Sequence, residues 1–328
     1  KRIFFNTSTN VASATVNISN GTIYGSVFGG GEDGHVMGNA TTTISQAAGN
    51  TTVIGCDGQS GYDGNVFGAG QGHIGAYTAG VVGGNASLSI TGGTLNGSAY
   101  GGGRIASVGT YFAMATIDDP NNPGQKIPNP LYGKMQDGDD HGCLTVSLTG
   151  GTIEQNVYGG CMGTTANVLY GESKNVLVEL NKDKIGTDRG CAVKGDIFGC
   201  NNVNGTPQGD VMVHVYATQN AAATQIANTG EVTDAKVKGR YDVNAVYGGG
   251  NLATYNPVTP YNGTLGSKTQ VIIEGCDLTS IETVYGGGNA AAVPETNVTI
   301  KGAYEIGYLF GGGNGKDDIA PGEENPGI

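Results

Sequence analysis

The residues whose types could do chemistry gather in one stretch. Tyr111 is followed by Asp118 and Asp119, then Tyr132, then Asp137, Asp139, Asp140 and His141. Aromatic rings with an apolar body and a polar edge suit sugar rings, and carboxylates accept hydrogen bonds from sugar hydroxyls. Carboxylates beside amide carbonyls are also the oxygen ligands that calcium takes. The stretch therefore offers a glycan-binding loop or a calcium-stabilised loop, with calcium the one cofactor the residues suggest. The competing reading is a solvated acidic loop that tucks its own Tyr and Phe side chains onto a scaffold.

A second candidate lies near the end, where Gly312-Gly313-Asn314-Gly315-Lys316-Asp317-Asp318-Ile319-Ala320 fits the glycine-rich calcium nonapeptide. Such a site needs tandem copies, because each ion sits between turns, and no second copy follows. The six cysteines (Cys56, Cys143, Cys161, Cys191, Cys200 and Cys276) have no paired short spacing that would hold zinc. They are read as buried free thiols or as a disulfide between neighbouring repeats.

The elements that must position these residues are written in a repeat. An aliphatic, an aromatic and a glycine run recur eight times: Val27-Phe28-Gly29, Val66-Phe67-Gly68, Ala99-Tyr100-Gly101, Val157-Tyr158-Gly159, Ile197-Phe198-Gly199, Val246-Tyr247-Gly248, Val284-Tyr285-Gly286 and Leu309-Phe310-Gly311. Repetition over tens of residues indicates a stacked architecture. Upstream of most copies lies an alternating phrase that turns on glycine, as in Leu88-Ser89-Ile90-Thr91-Gly92-Gly93-Thr94-Leu95 and Val146-Ser147-Leu148-Thr149-Gly150-Gly151-Thr152-Ile153. Period-two alternation predicts half-buried strands, and the glycine pair supplies positive φ for a tight bend. Glycine at 61 of 328 residues argues against helices, and its irregular placement with only 10 prolines argues against collagen.

The shortest repeats span 26 residues, from Ile18 to Ile44. That length predicts an all-β fold, a single-stranded parallel β-helix (a right-handed solenoid) of about eight coils, each adding three short strands. At ~4.8 Å per rung the column would stand about 40 Å tall. The aromatics of the eight copies would stack as one ladder. Cys161 and Cys200 replace glycines in consecutive copies, which would allow them to lie one above the other. The whole chain, 1–328, reads as one continuous solenoid and as a segment of a longer chain. Lys1-Arg2-Ile3-Phe4-Phe5 is too short for a signal peptide. Insertions are expected at 104–142, the longest, and at 216–244 and 251–268. Long loops on a rigid scaffold are where binding residues concentrate.

The formal charge is −12 with 16 Lys and Arg, and no basic cluster occurs, so nucleic acid is a poor partner. No apolar run approaches the roughly 18 residues of a membrane span. Abundant Asn, Thr, Ser and Gly with an acidic balance favour an extracellular or cell-surface protein. Asn-x-Ser/Thr sequons such as Asn20, Asn39, Asn85, Asn96 and Asn262 follow from the same alphabet.

The combination of Gly-Gly-Thr-Ile with Val-Tyr-Gly-Gly-Gly resembles the glycine-rich repeat regions of large, adhesin-like bacterial cell-surface proteins of the pectate-lyase-like β-helix superfold. The resemblance covers Ala14 through Gly313. It implies a secreted or surface-anchored column, structural or adhesive, with a glycan or a host or bacterial surface protein as partner. It transfers no catalytic residue. Pectin hydrolases of that superfold carry Asn-Thr-Asp, paired Asp, Gly-His-Gly and Arg-Ile-Lys motifs. Gly34-His35-Val36, Gly72-His73-Ile74, Arg104-Ile105 and Asp139-Asp140-His141 only echo them, in the wrong order and without Asn-Thr-Asp or Arg-Ile-Lys. An ice-binding Thr face is disfavoured because coil lengths vary. The leading expectation is a non-enzymatic surface column that binds through its loops. The alternatives are a polysaccharide-acting lyase or hydrolase and a purely structural spacer or filament segment.

Overall fold

The computed structural model describes residues 9–56, 63–111, 116–138, 140–165, 170–183, 190–218, 241–263 and 266–315. Its elements, numbered in chain order, are strands. One parallel sheet of eleven strands is built on β1 (Ala14–Ile18), β4 (Ala40–Ile44), β7 (Ala86–Leu95), β11 (Leu144–Ile153), β13 (Val176–Leu180), β16 (Val211–Val215), β18 (Thr269–Ile273) and β20 (Thr296–Ile300). Short strands β2 (Gly21–Ile23), β5 (Thr52–Ile54) and β14 (Ala192–Val193) join its side. A second parallel sheet of eight strands holds β3 (Val27–Phe28), β6 (Val66–Phe67), β8 (Ala99–Tyr100), β12 (Val157–Tyr158), β15 (Ile197–Phe198), β17 (Val243–Tyr247), β19 (Cys276–Tyr285) and β21 (Ala303–Phe310). The hairpin β9 (Thr116–Asp118) and β10 (Lys126–Pro128) stands apart within the 104–142 insertion.

This arrangement corrects the expected single-stranded β-helix of three-strand coils. Two large parallel sheets lie face to face, as in a sandwich, and the chain crosses from one to the other in every repeat. The third strand of the expected coil does not form a sheet. On that side there are isolated parallel bridges, Val11 to Val36, Val36 to Val82 and Val82 to Val108. The physical cause is the unequal loop that follows each glycine run. A ladder needs equivalent residues at every rung, and insertions of different length remove them.

The strands form because alternate side chains have a core to enter. In register, Thr42, Leu88, Val146, Val178, Val213, Val271 and Val298 make one inward row of the larger sheet, and Ile44, Ile90, Leu148, Leu180, Val215, Ile273 and Ile300 make another. Between them and beside them, Thr41, Thr43, Ser87, Ser89, Thr145 and Ser147 take the outward positions. Gly93 and Gly151 bend β7 and β11 at φ +86° and +83°, the positive-φ turn that the sequence calls for.

In the smaller sheet the aliphatic of every repeat but the last, Leu309, is buried in this core, and the aromatic points the other way. The rings of Phe28, Phe67, Tyr100, Tyr158, Phe198, Tyr247, Tyr285 and Phe310 stack at centroid separations of 4.6–5.0 Å, with planes within 14° of parallel. Phe67, Tyr100, Tyr158, Phe198 and Tyr247 form a separate buried cluster with Ala245, against which Phe28, Met162 and Tyr285 pack, while Phe310 at the end of the ladder is exposed. Each such pair contributes ~0.5–1.5 kcal/mol beyond its area burial. Burial pushes the Tyr100 phenol up to about 12.

Two polar seams flank the rings. Asn251 Nδ2 donates to Asn202 Oδ1 at 3.0 Å, Asn289 Nδ2 to Asn251 Oδ1 at 2.8 Å and Asn314 Nδ2 to Asn289 Oδ1 at 2.8 Å. On the other side, Ser26, Asn65, Ser98 and Asn156 each accept the backbone N–H of the next rung's Asn65, Ser98, Asn156 and Asp196 at 2.8–3.2 Å. All six cysteines are free thiols. Cys161 and Cys200 are not stacked as expected. Tyr158 pairs with Phe198, so Cys161 stands three residues after its aromatic and Cys200 only two. Burial pushes the Cys161 and Cys191 thiols up to about 12.

The first glycine after each aromatic sits where the sheets approach most closely. A Cβ on Gly159 would overlap the Gly199 carbonyl oxygen and the Val176 and Val178 methyls, and the same holds for Gly101 against Gly159 and Val146. Gly159→Ala is expected to destabilise the protein by about 3 kcal/mol or more, read as a lower denaturant midpoint. Thr42 is the exception in its valine row: fully buried, with its hydroxyl lacking a partner. Thr42→Val is expected to raise stability by ~1 kcal/mol in the same assay, because a buried unsatisfied hydroxyl costs about 1–3 kcal/mol.

Candidate functional site

Consecutive rungs leave the glycine run through a short backbone ladder. Arg104 N–H donates to Gly70 O at 3.0 Å, Ile105 N–H to Gln71 O at 2.9 Å, Met162 N–H to Gly103 O at 3.0 Å, Gly163 N–H to Arg104 O at 2.8 Å and Val203 N–H to Met162 O at 2.8 Å. These bonds align Gln71, Arg104 and Met162 in one row along the stack and Ile105, Gly163 and Val203 in the row beside it. The two rows are the floor of a cleft of about 490 Å³, a size typical of small-molecule sites.

One wall is the tip of the 72–80 loop, with His73 and Ile74 lining the cleft; Thr164 and Thr165 also line it. The tip is a tight turn with Gly75 at φ +89° and an Ala76 N–H to His73 O bond of 3.1 Å. It is tied down from two sides. Gly75 N–H donates to Tyr170 Oη at 2.8 Å, and Tyr170 is buried. Tyr77 Oη donates to Glu172 Oε2, and Gln208 Nε2 donates to Glu172 Oε1 at 3.3 Å. Burial, and then the Glu172 carboxylate, hold the Tyr77 phenol far above its ordinary value. The pinned tip holds Ile74 60% exposed, an apolar side chain at the mouth of the cleft. Arg104 Nη2 lies 3.3 Å from Asp63, both side chains being close to half exposed, so the pair is weak.

The loop singled out from the sequence is arranged differently from this cleft, and none of its described candidate residues lines it. Asp118 pairs with Lys126 at 2.5 Å across the β9–β10 hairpin. Asp119 accepts the Asn121 backbone N–H at 2.8 Å and Asn122 Nδ2 at 2.7 Å, which holds its carboxyl below the usual range. Tyr111 N–H bonds Lys134 O at 2.7 Å. Tyr132 Oη meets Thr78 Oγ1 at 2.9 Å, behind the tip of the cleft wall. Asp137 is exposed, and Asp140 lies 3.7 Å from His141 Nε2. Asp139 lies outside the described residues, as does the second half of the 312–320 nonapeptide and most of the 216–244 insertion. Among the described residues, no three His, Cys, Asp or Glu side chains gather in a way that would hold a metal ion.

Two of the sequence echoes do meet. Gly72-His73-Ile74 and Arg104-Ile105 border the same cleft. Met162, Thr164 and Val203 share no chemical signature with them; counted from the aromatics, Met162 falls at the position of Arg104 and Val203 at that of Ile105.

A second constellation, also unforeseen, lies on the outward face of the larger sheet. His214 Nε2 contacts Glu274 Oε1, and its ring stacks on Tyr216 at 3.7 Å. Tyr216 Oη donates to Glu179 Oε1 at 3.1 Å, and burial and that carboxylate raise its pKa. Lys182 Nζ donates to Glu179 at 2.9 Å, and Lys301 Nζ lies 3.6 Å from Glu274.

Comparison of the chain with protein-family models, with curated proteins and with solved structures returns no match. The pinned wall of the cleft gives a direct test. In Tyr170→Phe the Gly75 N–H loses its acceptor, and its amide is expected to exchange with deuterium at least ~10-fold faster while amides of β11 and β12 keep their protection.

Proposed function

We propose that the protein is a non-enzymatic column of the cell surface or extracellular space that captures ligands at a loop-bearing corner. The carrying observation is the cleft built on that corner. Its floor is backbone-bonded from rung to rung, and its wall is fixed by Tyr170 and Glu172. Binding sites prepared in this way lose little entropy on ligand capture. The acidic, Asn- and Thr-rich composition supports the location, and the in-register sheets support the role of rigid display.

The test is retention of ligand without turnover. The 328-residue chain is exposed to a glycan and metabolite panel, and bound material is identified by mass. Intact ligand is expected. Thr165→Trp, which fills the mouth of the cleft, is expected to reduce retention at least ~10-fold. Retention unaffected by Thr165→Trp would remove the cleft from the proposal.

A second reading, cleavage of a polysaccharide, is favoured by the His214–Glu274 and Tyr216–Glu179 pairs, which place proton donors and acceptors side by side. Release of reducing or unsaturated ends from polysaccharides, abolished by His214→Ala, would establish it in place of the first.

A further inference from the structure

The chemistry of the cleft identifies what it would hold. Resting on the reading of the corner as a capture site, we infer that its ligand is a carboxylate joined to an aliphatic body. Among the described residues the lining contains no Phe, Tyr or Trp ring and no acidic side chain, and its one aromatic group is the His73 imidazole. Sugar sites favour the broad ring faces of Trp, Tyr and Phe for stacking, and the described lining offers none of these. Its apolar surface is aliphatic instead: Ile74, Ile105, Met162 and Val203. Met162 adds an unbranched, adaptable side chain that follows the shape of a flexible chain.

The polar end is Arg104, the sole arginine among the described residues. Asp63 engages Nη2, and a guanidinium presents five N–H donors. The remaining donors form the planar fork that matches a carboxylate. With both side chains close to half exposed, the Asp63 pair is weak and engages one guanidinium nitrogen only. Thr164, Thr165 and Gln71 line the same cleft and supply further hydrogen-bond donors for the carboxylate or for an adjoining amide.

An acyl chain and a peptide C-terminus ending in an aliphatic residue share this chemistry. Titration calorimetry of the full chain with octanoate and with N-acetyl-leucine distinguishes them, the tighter binder naming the source. Octanamide, which keeps the chain and loses the charge, is expected to bind at least ~10-fold more weakly than octanoate. Arg104→Gln is expected to cost at least ~10-fold in affinity, Arg104→Lys less, and Ile74→Ser several-fold. Arg104 and Ile74 are exposed enough that thermal unfolding curves of all three variants should match the parent. Equal binding of octanamide and octanoate, affinity indifferent to Arg104→Gln, or no heat from either carboxylate overturns the inference. Binding of maltotriose sensitive to Thr165→Trp, with octanoate silent, would overturn the ligand class and leave the capture site standing. Polysaccharide cleavage, by contrast, would overturn the reading on which the class rests.

Discussion

The closest approach between the two sheets is the constraint on which the rest depends. At every rung but the last, Gly311, the glycine that follows an aromatic lies against the carbonyl of the neighbouring rung's glycine, and from Gly101 to Gly286 also against valine methyls of the opposite sheet. No side chain fits between them. Once glycine is required there, the flanking positions follow. The residue two places earlier shares the inward face and must be aliphatic, and the residue between them must face away, where rings can stack on rings. A single spatial exclusion thus produces the three-residue phrase repeated along the chain.

The regularity of the stack also explains how binding surface arises from residues far apart in sequence. Gln71, Arg104 and Met162 are separated by dozens of residues, yet backbone bonds between rungs line them up, with Val203 one place along beside Gly163. The core row is aliphatic but for Thr42, whereas the row after the glycine run differs in chemistry from rung to rung. In the upper rungs it is asparagine, and the side chains bond to one another. In the lower rungs it is Gln, Arg and Met, and a cleft takes the place of the amide seam.

Much of this was legible in the sequence. The alternation in Leu144–Ile153 and the positive-φ bend at Gly151 were readable because each rests on local chemistry. The aromatic ladder was readable because eight copies shared one pattern. The third strand was over-read, since coil length alone does not say whether equivalent residues exist at every rung. The Cys161 and Cys200 relation failed on an offset of one residue, which only a pairing register could supply. The acidic loop around Asp118 and Asp119 had a suggestive composition. Its acids find their partners within the loop itself, at Lys126, Asn121 and Asn122, and local pairing of that kind leaves no trace in composition. The cleft was illegible for the opposite reason, because its residues are chemically unlike and come together only through the stacking of rungs.

The asparagine seam has a consequence of its own. Every carboxamide in it donates in the same sense, from the later repeat to the earlier, so the group dipoles add along the stacking direction. None of these groups titrates. Adjacent rungs are therefore joined by an oriented polar thread that acid, alkali and brine leave unchanged, which a column held by ion pairs would lack.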